Sequence, residues 1–370
     1  MKKNTRHPHY ISPLIPVMLL FLLILCTLAS CELQSLTAAQ GTTDGANTVY
    51  QPVEITTTGA DNTTSPGTTT IQSTTTPPPT TTTAIPILHF NPLTGLPCEG
   101  VASSRRPIAL SVKEASGEQI STADLVIEAP TEATPTRLAL VGTDVATILP
   151  GLELASTRAY LAALANDLFA ISVYDGTSDH GKESTSFLYD TLDKKSSPFE
   201  NTEDALMRAI TEAGYQKTIA GSIALPYTVT GIGETVKPQK LSSTYVSVPF
   251  SDATATTFTY DAVTKSYTMR ACTALTQDGT LPTFANIIVL FHDATLRVTK
   301  DGNELTLDTD IGGSGYYISQ GGVMPLLWRR DNETSRLILT DENNYPLKIN
   351  RGKTYIGMTT FAHREGLILN

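Results

Sequence analysis

The sequence predicts an α+β protein in two domains, an N-terminal α/β domain and a β-rich C-terminal domain of sheet or sandwich type, preceded by a disordered stalk. Strand-like apolar runs alternate with amphipathic segments as far as about residue 236, and helical signals are missing beyond it. A threonine-rich tract without apolar periodicity precedes both regions. The expected boundaries are a signal peptide at 1–30, the stalk at 31–86, the α/β domain at 87–236 and the β-rich domain at 237–370.

The amino terminus has the features of a bacterial secretory signal. Three basic residues precede an apolar run over residues 14–28, and Leu28-Ala29-Ser30-Cys31 closes that run. These four residues resemble the lipobox of bacterial lipoproteins, in which the cysteine is diacylated and becomes the first residue. The resemblance implies lipidation of Cys31 and a stable anchor on the extracytoplasmic face of the cell membrane. The alternatives are an ordinary signal with an incidental cysteine, or a retained anchor.

The tract that follows is too polar to bury a core. Threonine occupies 15 of the 28 positions from Thr56 to Thr83, and three successive prolines from Pro77 interrupt any strand. Such a segment stays extended, and as a flexible coil its ~54 residues would span roughly 40 Å. We therefore expect it to hold the folded part away from the membrane.

Composition excludes several classes of protein. The chain has 26 basic and 36 acidic residues and a net charge of −10, which disfavours a nucleic-acid partner. Its four cysteines include no CxxC pair, so a structural zinc site is not expected. No other metal site and no cofactor is predicted. Cys98 and Cys272 are expected to be unpaired thiols, with a disulfide between them as the alternative.

Apolar runs and capping residues define the predicted α/β elements. Two helices are expected, one capped by Ser156 and reaching Ala165, the other capped by Thr202 and closed by Gly214. The predicted strands are Pro107–Val112, Ala123–Glu128, Thr136–Gly142 and Phe169–Tyr174.

Beyond residue 237, short strand-like runs follow one another. A turn at Lys300-Asp301-Gly302-Asn303 separates two of them and predicts a hairpin. The others lie near residues 246–250, 258–260, 267–269, 287–291, 316–318, 324–328, 337–339 and 355–358.

Polar residues near the predicted strand ends form the candidate ligand site. Arginines that converge with carboxylates can clamp an anionic group through paired hydrogen bonds, and ligands of α/β sheets bind at the carboxyl ends of strands. The alternative is an internal ion pair between Glu128 and Arg137 across neighbouring strands. The candidate residues are Glu128, Arg137, Ser156, Arg158 and Asp175.

A polar loop over residues 174–182 adds Asp175, Asp179 and His180. A carboxylate with an imidazole suits acid–base work, whereas a solvated polar turn is the simpler interpretation. No catalytic motif such as GxSxG or HExxH is present.

Three groups of short motifs follow one another along the chain: Asn91–Leu96, Ala123–Glu128 with Thr136-Arg137, and Ser156–Tyr160. They resemble the opening, the "ADIVYE…TR" pattern and the S-x-R-x-Y segment of the YerB-type lipoprotein family of Gram-positive bacteria, whose domains have unknown function. Later matches are Tyr260-Asp261, Tyr267, Arg270, Asn286–Val289, Gly313–Gly315, Trp328, Asp331, Ser335-Arg336, Asn350 and Gly352–Thr354.

The resemblance implies an extracytoplasmic, membrane-tethered, two-domain protein and transfers no catalytic role. Two positions depart from the family, because Ala155 replaces an arginine and Lys113–Gly117 replaces an asparagine-bearing loop. If these positions line a ligand site in relatives, the departures imply that the site is altered or lost here. We expect a binding or scaffolding module of the cell envelope, with a cell-wall polymer or an envelope protein as its partner. The competing hypothesis is an enzyme acting on an anionic or wall substrate through Glu128 or through Asp175 and His180.

Overall fold

The computed structural model describes residues 88–132, 136–176, 191–194, 200–219, 224–228, 236–276, 278–300, 302–330 and 336–370. The predicted signal peptide, Cys31 and the stalk lie outside the described residues, as do Asp179 and His180. Thr81–Asn370 forms one compact unit. Among the described residues, no helix combines the length and the apolar character needed to cross a membrane.

The helices are few and short. They are α1 (Gly100–Ser104), α2 (Gly117–Thr122), α3 (Ala159–Asp167) and α4 (Glu203–Glu212), with a 3-10 helix at Phe361–Gly366. The strands are β1 (His89–Phe90), β2 (Pro97–Cys98), β3 (Ile108–Val112), β4 (Ala115–Ser116), β5 (Leu125–Ala129), β6 (Arg137–Gly142), β7 (Ile171–Tyr174), β8 (Thr191–Asp193), β9 (Leu241–Ser242), β10 (Tyr245–Pro249), β11 (Ala255–Asp261), β12 (Ser266–Ala271), β13 (Leu275–Thr276), β14 (Thr283–Phe284), β15 (Asn286–His292), β16 (Ala294–Thr299), β17 (Gly302–Leu307), β18 (Gly313–Ser319), β19 (Gly322–Arg330), β20 (Leu337–Thr340), β21 (Thr354–Thr360) and β22 (Ile368–Leu369).

One large mixed sheet runs through the described residues. Its strand order is β20-β19-β18-β15-β21-β5-β6-β3-β7-β8, with β9 paired to β19. The pairs β15–β21, β21–β5, β3–β7 and β7–β8 are parallel, whereas β5–β6 and β6–β3 are antiparallel. A smaller sheet of order β14-β12-β11-β10-β22 is built from the C-terminal segment alone.

The large sheet is covered on both faces. Alternate residues of each strand point to opposite faces. On one face Val126 and Leu140 pack with Phe258 and Tyr267 of the smaller sheet. On the other face Ile127 and Val141 pack with the α3 side chains, among them Leu161 and Leu164. Because both faces are buried, its strands are apolar at nearly every position, as the sequence suggested.

Several predicted elements are confirmed. The α4 helix is capped by Thr202, whose Oγ1 accepts from the Ala205 amide at 3.3 Å, and Gly214 takes a φ of +84° after its end. The predicted hairpin forms, with Thr299 opposite Gly302. The β-rich character of the C-terminal segment is also confirmed, since its only helical element in the described residues is one 3-10 helix.

Two expectations need revision. The helix predicted from Ser156 begins at Ala159, because the Ala155 amide donates to the Ser111 carbonyl and the Ser111 hydroxyl donates to the Ser156 carbonyl. These bonds hold the preceding segment against the sheet. The two-domain layout is not confirmed, because strands from both sides of residue 237 are hydrogen-bonded in one sheet.

The shared sheet predicts that the two segments fold together. Separating residues 81–236 from 237–370 would expose the edges of β5 and β21 and open the core that both segments build. We expect residues 81–370 to unfold in one cooperative transition and each separate segment to lack fixed tertiary structure. Thermal denaturation followed by near-UV circular dichroism tests this. A cooperative transition in isolated 237–370 would contradict it.

Candidate functional site

Four of the five candidate residues lie at one edge of the large sheet. Strands β3, β5 and β7 run in the same direction and β6 runs against them. The carboxyl ends of the first three strands therefore meet the amino end of β6. Arg137 begins β6, Asp175 follows β7, and Ser156 and Arg158 precede α3.

A cleft of about 460 Å³ opens at this edge. The segment before α3 forms one wall, and the Asp175 amide fixes it by donating to the Ala155 carbonyl at 3.1 Å. Ser156 and Asp175 of the predicted set line the cleft. The other lining residues are Lys113, Glu114, Glu153, Leu154 and Ala155.

The candidate set omitted three charged residues of the cleft, Lys113, Glu114 and Glu153, although the segment Lys113–Gly117 was noted as a departure from the family. Lys113 and Glu114 directly follow β3, just as Asp175 directly follows β7. The rule that ligands bind beyond the carboxyl ends of strands would have selected both residues. With Asp175, the cleft presents three carboxylates and one ammonium group, a lining suited to hydroxyl or cationic groups of a ligand.

Glu128 and Arg137 do not form the ion pair considered from the sequence. In the β5–β6 register Glu128 faces Leu138 and Arg137 faces Ala129. Since neighbouring residues of a strand point to opposite faces, the two side chains lie on opposite sides of the sheet. The ion-pair hypothesis was therefore wrong, and so was the placement of Glu128 with the other candidates.

Glu128 is fully buried between the two sheets. Its carboxyl oxygens accept hydrogen bonds from the hydroxyls of Thr136 at 2.5 Å, Thr256 at 2.8 Å and Tyr355 at 2.7 Å. The Cys272 thiol lies 3.6 Å from Oε1. Among the described residues no cationic side chain pairs with it. Burial raises the pKa of Glu128, and the hydroxyl donors oppose the rise.

Arg158 and Arg137 lie on the α3 side of the sheet. Arg158 occupies the N-cap position of α3 and forms an ion pair with Glu132. Arg137 is 6% exposed, and its Nε and Nη1 atoms have no hydrogen-bond partner in the described part of the chain. Burial lowers the pKa of Arg137, and the nearby charge of Arg158 lowers it further.

A second buried arginine, Arg330, is not predictable from the sequence. Its Nε and Nη2 atoms donate to Asp167 Oδ2 at 3.0 and 2.9 Å, and both side chains are 3% exposed. The partners are 163 residues apart, and no local pattern links them. Burial outweighs the attraction of Arg330 and raises the pKa of Asp167 to about 7. This pair ties the end of α3 to β19.

In the described part of the chain, the cysteines and the acidic groups form no metal centre. Cys98 and Cys272 are unpaired thiols. Within the described ranges no group of three histidine, cysteine, aspartate or glutamate side chains is arranged to hold a metal ion.

One protein family and one solved structure are similar to this chain. Residues 246–356 match the C-terminal domain of DUF3048, a protein family of unknown function. The crystal structure of the YerB protein from Bacillus subtilis is similar, with a TM-score of 0.59 and 21% identity over 76% of this chain and 99% of that chain. No curated protein matches the chain.

The resemblance to YerB predicted from the sequence is thereby confirmed for the fold and for the C-terminal DUF3048 match, and the lipoprotein character that it implied stays a prediction. At this identity the structural likeness shows the fold alone and assigns no activity.

The hydrogen bonds to Glu128 predict how much two substitutions of this residue destabilise the protein. Glu128→Ala should lower the free energy of unfolding by about 2–4 kcal/mol, because three buried hydroxyls lose their acceptor. Glu128→Gln should cost less, since the amide oxygen still accepts. Urea unfolding of residues 81–370 measures both changes.

The same carboxyl should affect the pH dependence. A carboxyl whose folded pKa is raised stabilises the protein fully at low pH, and this contribution is lost as pH rises from the ordinary glutamate pKa of 4.5 through the folded pKa. Glu128→Gln should therefore flatten the decline in wild-type stability that begins as pH rises above 4.5. The control is Glu212→Gln, at an exposed glutamate of α4. Equal pH profiles for wild type and Glu128→Gln would refute the prediction.

Proposed function

We propose that this protein is an extracytoplasmic lipoprotein that binds a cell-envelope component in the cleft beside Ser156 and Asp175. The single observation that carries the binding role is the cleft itself, at the sheet edge where α/β proteins bind ligands. Its walls are strand ends and a segment fixed by backbone hydrogen bonds, so the polar groups are preorganised.

The position of Glu128 supports a binding role over the enzymatic hypothesis that relied on this carboxyl. Glu128, the first acid–base candidate, faces the interior between the sheets and not the cleft. The cleft carboxylates suit hydroxyl or ammonium groups, which a wall polymer or an envelope protein both present. The net charge of −10 favours neither nucleic acid nor a polyanion as a partner.

The proposed location rests on the lipobox and the threonine-rich spacer. Two acyl chains on Cys31 would retain the protein stably, and a single chain would not. The spacer would let the cleft reach ligands roughly 40 Å from the membrane.

Replacing Cys31 tests the anchor. Cys31→Ala should move the full chain out of the detergent-phase membrane fraction and abolish incorporation of radiolabelled fatty acid. The matched control is Cys26→Ala, which changes the same residue type inside the apolar run. Labelling that persists in Cys31→Ala, or is lost in Cys26→Ala, would contradict the assignment.

Binding is tested on residues 81–370, which form one compact unit. Purified cell-wall fragments should raise the melting temperature by a few degrees, since a ligand at 100 times its dissociation constant adds about 2.7 kcal/mol. Asp175→Asn and Ser156→Ala should weaken that shift. Asp252→Asn, at an exposed residue outside the cleft, should retain it.

The same wall fragments can be used in a pull-down with residues 81–370. A shift that survives both cleft substitutions would place binding elsewhere. The proposed function would be refuted if wall fragments cause no shift in melting temperature and if neither wall fragments nor a defined envelope protein is captured.

A further inference from the structure

Arg137 has an unusual environment for a buried arginine. The residue is 6% exposed, and its Nε and Nη1 atoms lack both water access and a hydrogen-bond partner in the described residues. Guanidinium is charged at all relevant pH values and carries five N–H donors. Burying two of its nitrogens without acceptors costs free energy, so the folded protein tolerates unsatisfied donors at this position.

The neighbours of Arg137 add positive charge. Arg158 lies near enough to act on Arg137 electrostatically. Among the described residues, Glu132 is the carboxylate that acts on Arg137, and it pairs with Arg158. The Tyr160 hydroxyl donates to the Pro130 carbonyl at 2.6 Å, so it is engaged as a donor. Two guanidinium groups therefore share one carboxylate.

The amino terminus of α3 contributes a third positive source. The helix has nine residues, its N-cap Arg158 makes no side-chain cap hydrogen bond, and its first turn contains no acidic residue. The free N–H groups and the helix dipole attract anions at such an end, and a cationic residue there is unfavourable unless an anion is bound.

We propose that Arg137, Arg158 and the amino terminus of α3 form a subsite for a phosphate-type oxyanion of the ligand. This inference rests on the proposed binding function and names the chemistry of one part of the ligand. Arg137 meets the anion from the sheet, and the first-turn amides of α3 meet it from the helix. The bound oxygens supply the acceptors that the two buried arginine nitrogens lack.

The subsite adjoins the cleft. Ser156 lines the cleft and Arg158 lies two residues further along the chain, within about 7 Å at full extension. One ligand can therefore place an oxyanion at the arginines and neighbouring hydroxyl or ammonium groups against the cleft carboxylates.

Inorganic phosphate and glycerol 3-phosphate are the test ligands, and acetate is the comparison anion that carries a carboxylate in place of a phosphate. Both phosphates should raise the melting temperature of residues 81–370 in a concentration-dependent manner, and acetate should act more weakly because it carries less charge. Phosphate should also shift one arginine Nε–H resonance in ¹⁵N-correlated NMR. That resonance should be missing in Arg137→Met and in Arg137→Lys.

Arg137→Met distinguishes a ligand site from a structural arginine. Without phosphate, the variant should melt at or above the wild-type temperature, because methionine fills similar space without an unsatisfied charge. Its apparent affinity for phosphate should fall about tenfold or more. Arg158→Gln should weaken phosphate binding while leaving the fold intact. Arg329→Met, at an exposed arginine of β19, is the matched control and should change neither property.

The outcomes separate this inference from the proposed function. A phosphate response that Arg137→Met retains, or a marked loss of stability in that variant without phosphate, overturns the subsite. Wall binding that depends on Asp175 with no response to phosphate overturns the subsite and leaves the proposed function standing. A phosphate response lost in Arg137→Met, in a protein that binds no wall material, supports the subsite and refutes the proposed function.

Discussion

The parallel pairing of β5 with β21 is the constraint on which the rest of the structure depends. It joins Leu125–Glu128 to Thr354–Gly357, residue by residue, and makes one sheet from two distant parts of the chain. Glu128 strengthens this junction from inside, since it accepts from Tyr355, 227 residues away in sequence, and from Thr256 of the smaller sheet. The sheet edge that carries the candidate residues also depends on this pairing, because the end of β5 lies beside the start of β6, where Arg137 lies.

Much of the local structure follows from the sequence, and most errors concern contacts between distant residues. The apolar runs and the Thr202 and Gly214 caps identified β3, β5, β6, β7 and α4 correctly. Ser156 looked like a cap because capping is judged locally, whereas its carbonyl is held by Ser111, 45 residues earlier. The opposite orientation of Glu128 and Arg137 was also hidden, because strands buried on both faces show no alternation from which to read the direction of a side chain.

The two buried arginines show how differently the fold treats a structural charge and a candidate binding charge. Arg330 is matched by Asp167 through two hydrogen bonds near 3 Å, so its desolvation is compensated within the protein. Arg137 is nearly as buried and receives no such partner among the described residues. The same fold pairs Arg330 with a carboxylate and leaves two nitrogens of Arg137 without acceptors. Arg137 therefore fits a binding site, where local stability is given up for recognition of a ligand.

The charge distribution further restricts what the proposed subsite can bind. The chain as a whole is acidic, and Glu114, Glu153 and Asp175 line the cleft beside the subsite. At physiological salt, charge interactions decay over about 8 Å, so the arginines attract an anion only after it has come close. A dense polyanion would meet repulsion from the cleft carboxylates along its length, whereas a single oxyanion flanked by hydroxyl or ammonium groups would satisfy both regions. A buried cationic subsite beside an acidic cleft therefore selects a ligand by how its charges are arranged as well as by their sign.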